Sequence, residues 1–129
     1  MAVVGYITIT ILSLAQPVYN GPVQDRALYV SPDKIHWAEF SAPPCSEGNA
    51  VIYGERTTVF RGIEAVKAGD SIRMDGLEGE GCAYRVVGVV ITGKTDIKWM
   101  MPATDGRLTL ITCEGPGDLR RVIVAIRVH

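Results

Sequence analysis

Three side chains in this sequence are of types that together could run acyl-transfer chemistry. Cys113 closes the run "RLTLITC" and is followed by "EGPGDL", so a thiol ends an apolar strand beside a Gly-rich turn. The next run, "RRVIVAI", opens on Arg120 and Arg121. Two strands joined by a short loop are expected to be antiparallel neighbours, which brings one of these arginines near the thiol. A guanidinium there lowers a thiol's pKa and can stabilise an oxyanion. Alternation puts Arg120 on one face with Val122, Val124 and Ile126, and Arg121 on the other with Ile123, Ala125 and Arg127. If the first face is inward, Arg120 points toward a groove and Arg121 to solvent. The third group is Glu55 in "VIYGERTTVF", presented by a turn on Gly54 at a strand end. Alone, a cysteine closing an apolar strand is more often a buried core thiol, so the pattern has to be read with its surroundings.

The elements that must position these groups are strands. β-branched runs are separated at short intervals by Gly, Pro, Asp and Asn, the pattern of an all-β barrel or sandwich. Strands are expected at Tyr6–Leu12, Ala27–Val30, His36–Phe40, Ala50–Tyr53, Ser71–Asp75, Ala83–Thr92, Arg107–Cys113 and Arg120–Val128. One short helix is expected near Val59–Val66, with Gly69 as a stop or turn. "NGPVQDR" and "SAPPCSEGN" read as turn-rich loops. The long connection "GKTDIKWMMPATDG" carries Trp99, Met100 and Met101, which either cap one end of the barrel or wall a binding groove.

The chain of 129 residues is one domain's worth, long enough to bury a core without metals or disulfides. Thirteen basic against fourteen acidic residues leave a net charge of −1, so nothing points to nucleic acid or an anionic membrane surface. The apolar opening "MAVVGYITITILSLAQ" lacks a basic flank and is too short to span a bilayer, so it reads as folded structure. Cys45, Cys82 and Cys113 allow at most one internal bridge. Cys45 and Cys82 could pair if the protein is extracellular, and both fall in loop or turn sequence expected to be exposed. No CxxC or Cys/His cluster suggests zinc, and Asp70, Asp75, Glu78 and Glu80 read as ordinary solvation of a hairpin. His36 in "KIHWAEF" reads as structural, and His129 is terminal.

Thr109-Leu110-Ile111-Thr112-Cys113 resembles the Thr-Leu-x-Thr-Cys strand of the sortases, cysteine transpeptidases of Gram-positive cell surfaces. The essential arginine of that family stands five residues before a recurrent alanine; Ala125 places it at Arg120, in agreement with the facing argument. "GYITITILSLAQPVYNG" is similar to the family's opening strand and Pro-Val turn. "SAPPCSEGNAVIYGERTTVFRGIEAVKAGDSI" is similar to the segment that carries its catalytic histidine: Gly-Asn, an apolar strand, Gly-His-Arg, then a short helix closing on apolar-Lys-x-Gly-Asp-x-Ile. The departure falls on the histidine, replaced here by Glu55. The resemblance implies a closed β-barrel of about eight strands with one or two short helices, as a single catalytic domain over residues 1–129. It implies no cofactor, and a location on the outer face of the membrane through an anchor outside this chain; part of the family depends on calcium through an acidic site, but Asp70, Asp75, Glu78 and Glu80 are read as hairpin solvation and no metal is expected.

The resemblance also implies a mechanism. Cys113 attacks the carbonyl of a Thr-Gly bond in the sorting motif of a surface protein, and an amine from a cell-wall precursor or pilin subunit resolves the thioester. Arg120 and the Glu114 amide would face the oxyanion, and Thr112, Trp99 and Met100 would line the substrate groove. The active form needs a thiolate beside a protonated partner. For the free groups, a thiolate–imidazolium pair lies about 2 pK units, roughly 3 kcal/mol, uphill; with a carboxylic acid the gap is about 4 units, roughly 6 kcal/mol. The difference is on the order of a hundredfold in active population. A carboxyl held protonated in an apolar pocket would narrow it. Three readings follow: a working or weakened transpeptidase with Glu55 as acid/base, an inactive domain that binds a peptide or protein in the same groove, or an engineered His-to-Glu form of an active enzyme.

Overall fold

The computed structural model describes residues 2–24, 27–28, 30–114 and 118–129. Among the described residues ten strands form in chain order: β1 Val3–Ile9, β2 Leu14–Gly21, β3 Val23–Gln24, β4 Ala27–Leu28, β5 Ile35–Ala38, β6 Asn49–Tyr53, β7 Ser71–Asp75, β8 Gly81–Gly93, β9 Arg107–Glu114 and β10 Leu119–Arg127. Eight of them close into a barrel in the order β1-β2-β5-β6-β9-β10-β8-β7, while β3 and β4 make a separate small hairpin. The contacts β2–β5 and β6–β9 are parallel and the other barrel contacts antiparallel.

Alternation fills the barrel. Ile7 and Ile9 of β1, Ala50 and Ile52 of β6, Ile72 and Met74 of β7, Leu108 and Leu110 of β9, and Ile123 and Ala125 of β10 share one buried cluster. Each large aliphatic side chain taken out of water there contributes roughly 1.5–3 kcal/mol. A smaller buried cluster, Ala38, Val51 and Tyr53 with Met100 and Ile111 against it, lies on the opposite face of β5, β6 and β9. The outer side of this sheet is therefore covered as well.

Several elements differ from the sequence pattern. The strand expected at Tyr6–Leu12 ends at Ile9; Thr10–Leu12 is a single 3-10 turn, and Leu14–Gly21 returns as a further strand. Pro17, read as part of a turn, lies inside β2 opposite Tyr6. It is tolerated because β2 meets β5 only over Val18–Gly21, so that edge is open at Pro17 and no ladder N–H is missed. The helix expected at Val59–Val66 shrinks to a 3-10 turn at Ile63–Ala65, because Gly62 takes a left-handed conformation (φ 84°) that a continuous helix does not allow. The strand expected at Ala27–Val30 is described over Ala27–Leu28; Tyr29 lies outside the described residues, as do Asp25 and Arg26 of "NGPVQDR" and 115–117 of the turn after Glu114.

The two loop cysteines are not both exposed. Cys45 and Cys82 form a disulfide with Cα atoms 5.7 Å apart, and Cys82 is only 6% exposed. Cys45 is also held through its backbone, whose N–H donates to Tyr84 Oη (2.7 Å) and whose carbonyl accepts from Arg127 (2.7 Å). Its left-handed backbone (φ 68°) is fixed by these contacts and the bridge together.

Candidate active site

Register brings the reactive groups together. Along the β9–β10 ladder, Arg120 stands directly opposite Cys113, and along β10–β8 it stands opposite Thr92. Directly opposed residues project from the same face, so Cys113, Arg120 and Thr92 form a row across three adjacent strands. Their face is the outer one. Ile123 and Ala125 fill the barrel, which places Arg120 and Val122 outside it on the floor of a cleft of about 530 Å³. The premise that the Arg120 face points inward is thus reversed, yet Arg120 still meets the groove, because the groove lies on the outside of the barrel. Arg121 does not reach open solvent. It sits at the barrel mouth, half-buried, and donates from Nε to Glu114 (3.0 Å).

Cys113 is a free thiol, partly exposed. It lines the cleft with Arg120, Thr112, Tyr53 and Gly54, while Trp99 and Met100 come from the loop that follows β8. Thr112 Oγ1 is buried with no hydrogen-bond partner among the described residues. The Glu114 side chain turns away, and its carboxyl is held below the usual carboxylate range by the Arg121 hydrogen bond, with the Arg121 and Arg56 charges adding to it against desolvation.

Glu55 is placed by the parallel β6–β9 contact. The ladder pairs Tyr53 with Ile111, and the Gly54 N–H then donates to the Ile111 carbonyl (3.3 Å). Glu55 follows Gly54 directly and Cys113 stands two residues after Ile111; Gly54 and Cys113 line the cleft, and Glu55 is not among its lining residues. Gly54 is required by packing: a Cβ there would lie 2.8 Å from Val59 and 3.0 Å from Phe60. The Glu55 carbonyl accepts from the Phe60 N–H (3.0 Å), closing the turn. Glu55 itself is half-buried, and its carboxylate makes no hydrogen bond or ion pair among the described residues. Neighbouring Arg56 pairs with Glu64 (3.3 Å).

The wall of the cleft is fastened to the barrel. Buried Asn49 on β6 donates from Nδ2 to the carbonyls of Trp99 and Met101 (3.0 Å each), and its own oxygen accepts from Thr109 Oγ1 (2.7 Å). Sequence reading singled out the apolar residues of this loop but not Asn49, Thr92 or Asp96. Thr92 is reached only through the β10–β8 register, which closure of the barrel sets. His36 is fully buried and stacks on Tyr53 (centroids 5.3 Å apart). Its Nδ1 faces the Asn20 carbonyl (3.4 Å), so that nitrogen carries the proton and Nε2 accepts from Ser31 (2.7 Å). Burial pushes its pKa down.

An outer-face cysteine–arginine pair on a closed barrel with parallel β2–β5 and β6–β9 contacts defines the class of protein. The sortase domain model matches residues 7–128. The chain therefore belongs to the sortase family of cysteine transpeptidases. Among solved structures it is similar to a sortase D5 transpeptidase from Clostridium perfringens, with TM-score 0.87, 23% identity, and coverage of 98% of this chain and 79% of that one. It is also similar to a lid mutant of sortase A from Corynebacterium diphtheriae (0.83, 26%, 99% and 71%) and to sortase C1 from Streptococcus agalactiae (0.82, 22%, 97% and 67%). No curated protein sequence matches the chain.

Proposed function

We propose that this chain is a sortase-type transpeptidase in which Cys113 is the nucleophile, Arg120 stabilises the oxyanion and Glu55 exchanges the proton. The observation that carries the reading is the register pair of Cys113 and Arg120 on the cleft floor. The Cys113 thiol passes its proton to the Glu55 carboxylate, the thiolate Sγ adds to the Thr carbonyl of a sorting-motif peptide, and the negative charge moves to the carbonyl oxygen beside the guanidinium. Collapse breaks the Thr–Gly C–N bond; the departing amine takes a proton from the Glu55 carboxylic acid, leaving a thioester on Cys113. An incoming amine from a cell-wall precursor or pilin subunit attacks the thioester, gives a proton back to Glu55 and releases the thiolate. Thr112, Trp99, Met100 and the Glu114 amide are assigned to the substrate. The outer face of the membrane is the assigned location, and the Cys45–Cys82 disulfide supports it, since such bridges persist in oxidising surroundings.

A second reading, a sortase-like domain that binds a peptide without cleaving it, is favoured by one observation: the Glu55 carboxylate makes no hydrogen bond or ion pair among the described residues that would tie it to Cys113 or Arg120. Thiol alkylation separates the two. With Cys45 and Cys82 bridged, iodoacetamide reports on Cys113 alone. The transpeptidase reading expects fast alkylation near neutral pH that Glu55→Ala abolishes. Modification at the rate of an ordinary thiol, raised on the order of a hundredfold only by Glu55→His, would leave the binding reading in possession.

A further inference from the structure

The residue row on the cleft floor continues into the cleft wall through a carboxylate that the mechanism does not use. Asp96 lies in the loop after β8 and lines the same cleft. Its Oδ2 accepts from Thr92 Oγ1 at 2.7 Å and from Trp99 Nε1 at 3.1 Å, with Lys98 Nζ 3.8 Å away. Thr92 is the cross-strand neighbour of Arg120. Lys98 also covers the Trp99 ring, 5.1 Å from its centroid, and Asn49 holds the Trp99 carbonyl from below. The indole is thus fixed at its backbone, its edge and one side, and only the edge contact leads back to the row that contains Arg120 and Cys113.

We propose that Asp96 is a positioning residue for the transpeptidase reaction: by tying Thr92 on the cleft floor to Trp99 in the wall, it sets the width of the groove for an extended peptide strand. The peptide part of this inference rests on the function proposed above. Physically, two hydrogen bonds to one ionised oxygen are stronger than neutral ones and hold a large planar ring in one orientation before the ligand arrives. A groove ordered in advance loses less conformational freedom on binding. The Thr92 hydroxyl does most to keep the Asp96 carboxyl below its usual range, with the Trp99 N–H and Lys98 adding to it against desolvation. An amide at this position retains an oxygen that can accept both bonds, whereas a methyl retains none.

The chain has two tryptophans, so a nitrogen–proton NMR spectrum shows two indole N–H signals, and Trp99→Phe identifies that of Trp99. Asp96→Ala is expected to shift this signal and speed its exchange with solvent, while Asp96→Asn keeps it close to its original place. Binding is then measured by calorimetry on chains carrying Cys113→Ala, with a pool of extended peptides sharing a Thr-Gly pair. Asp96→Ala should weaken binding about tenfold and Asp96→Asn by no more than about twofold. A Trp99 signal unmoved in Asp96→Ala overturns the clamp. So does equal weakening by Asn and Ala, which would make charge, not hydrogen bonding, the relevant property. Absence of binding by the Cys113→Ala chain with Asp96 intact overturns the peptide reading beneath the proposal, and the N–H signal tests the clamp independently of it.

Discussion

Cys113 and Arg120 owe their juxtaposition to a short connection and to alternation, which is why the sequence could pair them, although it took the family resemblance to attach acyl transfer to the pair. What a guanidinium opposite a thiol accomplishes depends on the proton donor, the role proposed above for Glu55. In that role a carboxylic acid makes the thiolate form costlier than an imidazolium would, by free-group chemistry. His36, the buried histidine near the site, is committed to structure: its Nδ1–H is given to the Asn20 carbonyl and its ring lies on Tyr53. Because burial lowers its pKa below the unfolded value of 6.5, the unfolded chain binds a proton that the folded chain refuses. The stability His36 contributes is complete above pH 6.5 and diminishes as pH falls below it, levelling off once the folded form also takes the proton. Thermal melts from pH 7.5 downward should show Tm falling first in this window, and His36→Gln should remove that slope. The carboxylates held low, Glu114, Asp96 and Asp105, act in the other window: their stabilisation disappears only at more acidic pH, as their folded forms are protonated.

At the scale of elements, the turn after β6 shows how packing places the candidate residue Glu55. Gly54 sits where any Cβ would strike Val59 and Phe60, and its N–H continues the parallel contact to β9. Gly54→Ala is therefore expected to cost about 1–3 kcal/mol and to displace the Glu55 turn from the end of β9. Chemical denaturation measures the first effect; a change in Cys113 alkylation under native conditions measures the second. Strand patterns were readable where both faces of a strand have settled environments, as in Ser71–Asp75, whose bounds match the expectation. They were less readable at β2, because a proline signals a turn unless the neighbouring strand is known to stop short of it. The expected helix failed for a local reason, the left-handed Gly62, whose conformation is not a property of its residue type alone.

For the molecule as a whole, barrel closure turns distant segments into neighbours. The Cys45–Cys82 bridge joins positions 37 residues apart and pins the loop before β6 to the start of β8. Closing a loop of that length is worth about 3–4 kcal/mol in the chain-entropy account. Reduction by dithiothreitol should lower Tm on the order of 10 °C, and the Cys45→Ser/Cys82→Ser double variant should melt at the reduced temperature with or without reductant. The same closure puts Thr92, Arg120 and Cys113 in one row and brings Asn49 under the loop that carries Trp99.

The sequence by itself determined the family, the β-rich character and the pairing of Cys113 with Arg120. These depend on residue types, on alternation and on the short link between two strands, all of which are local. Only the tertiary structure decided which face of β10 is inside, that the groove lies on the outer surface, that Arg121 answers Glu114, and that two of the three cysteines are bridged. Those outcomes depend on how eight strands close on one another, since inside and outside have no meaning for a strand until its sheet has curved around a core.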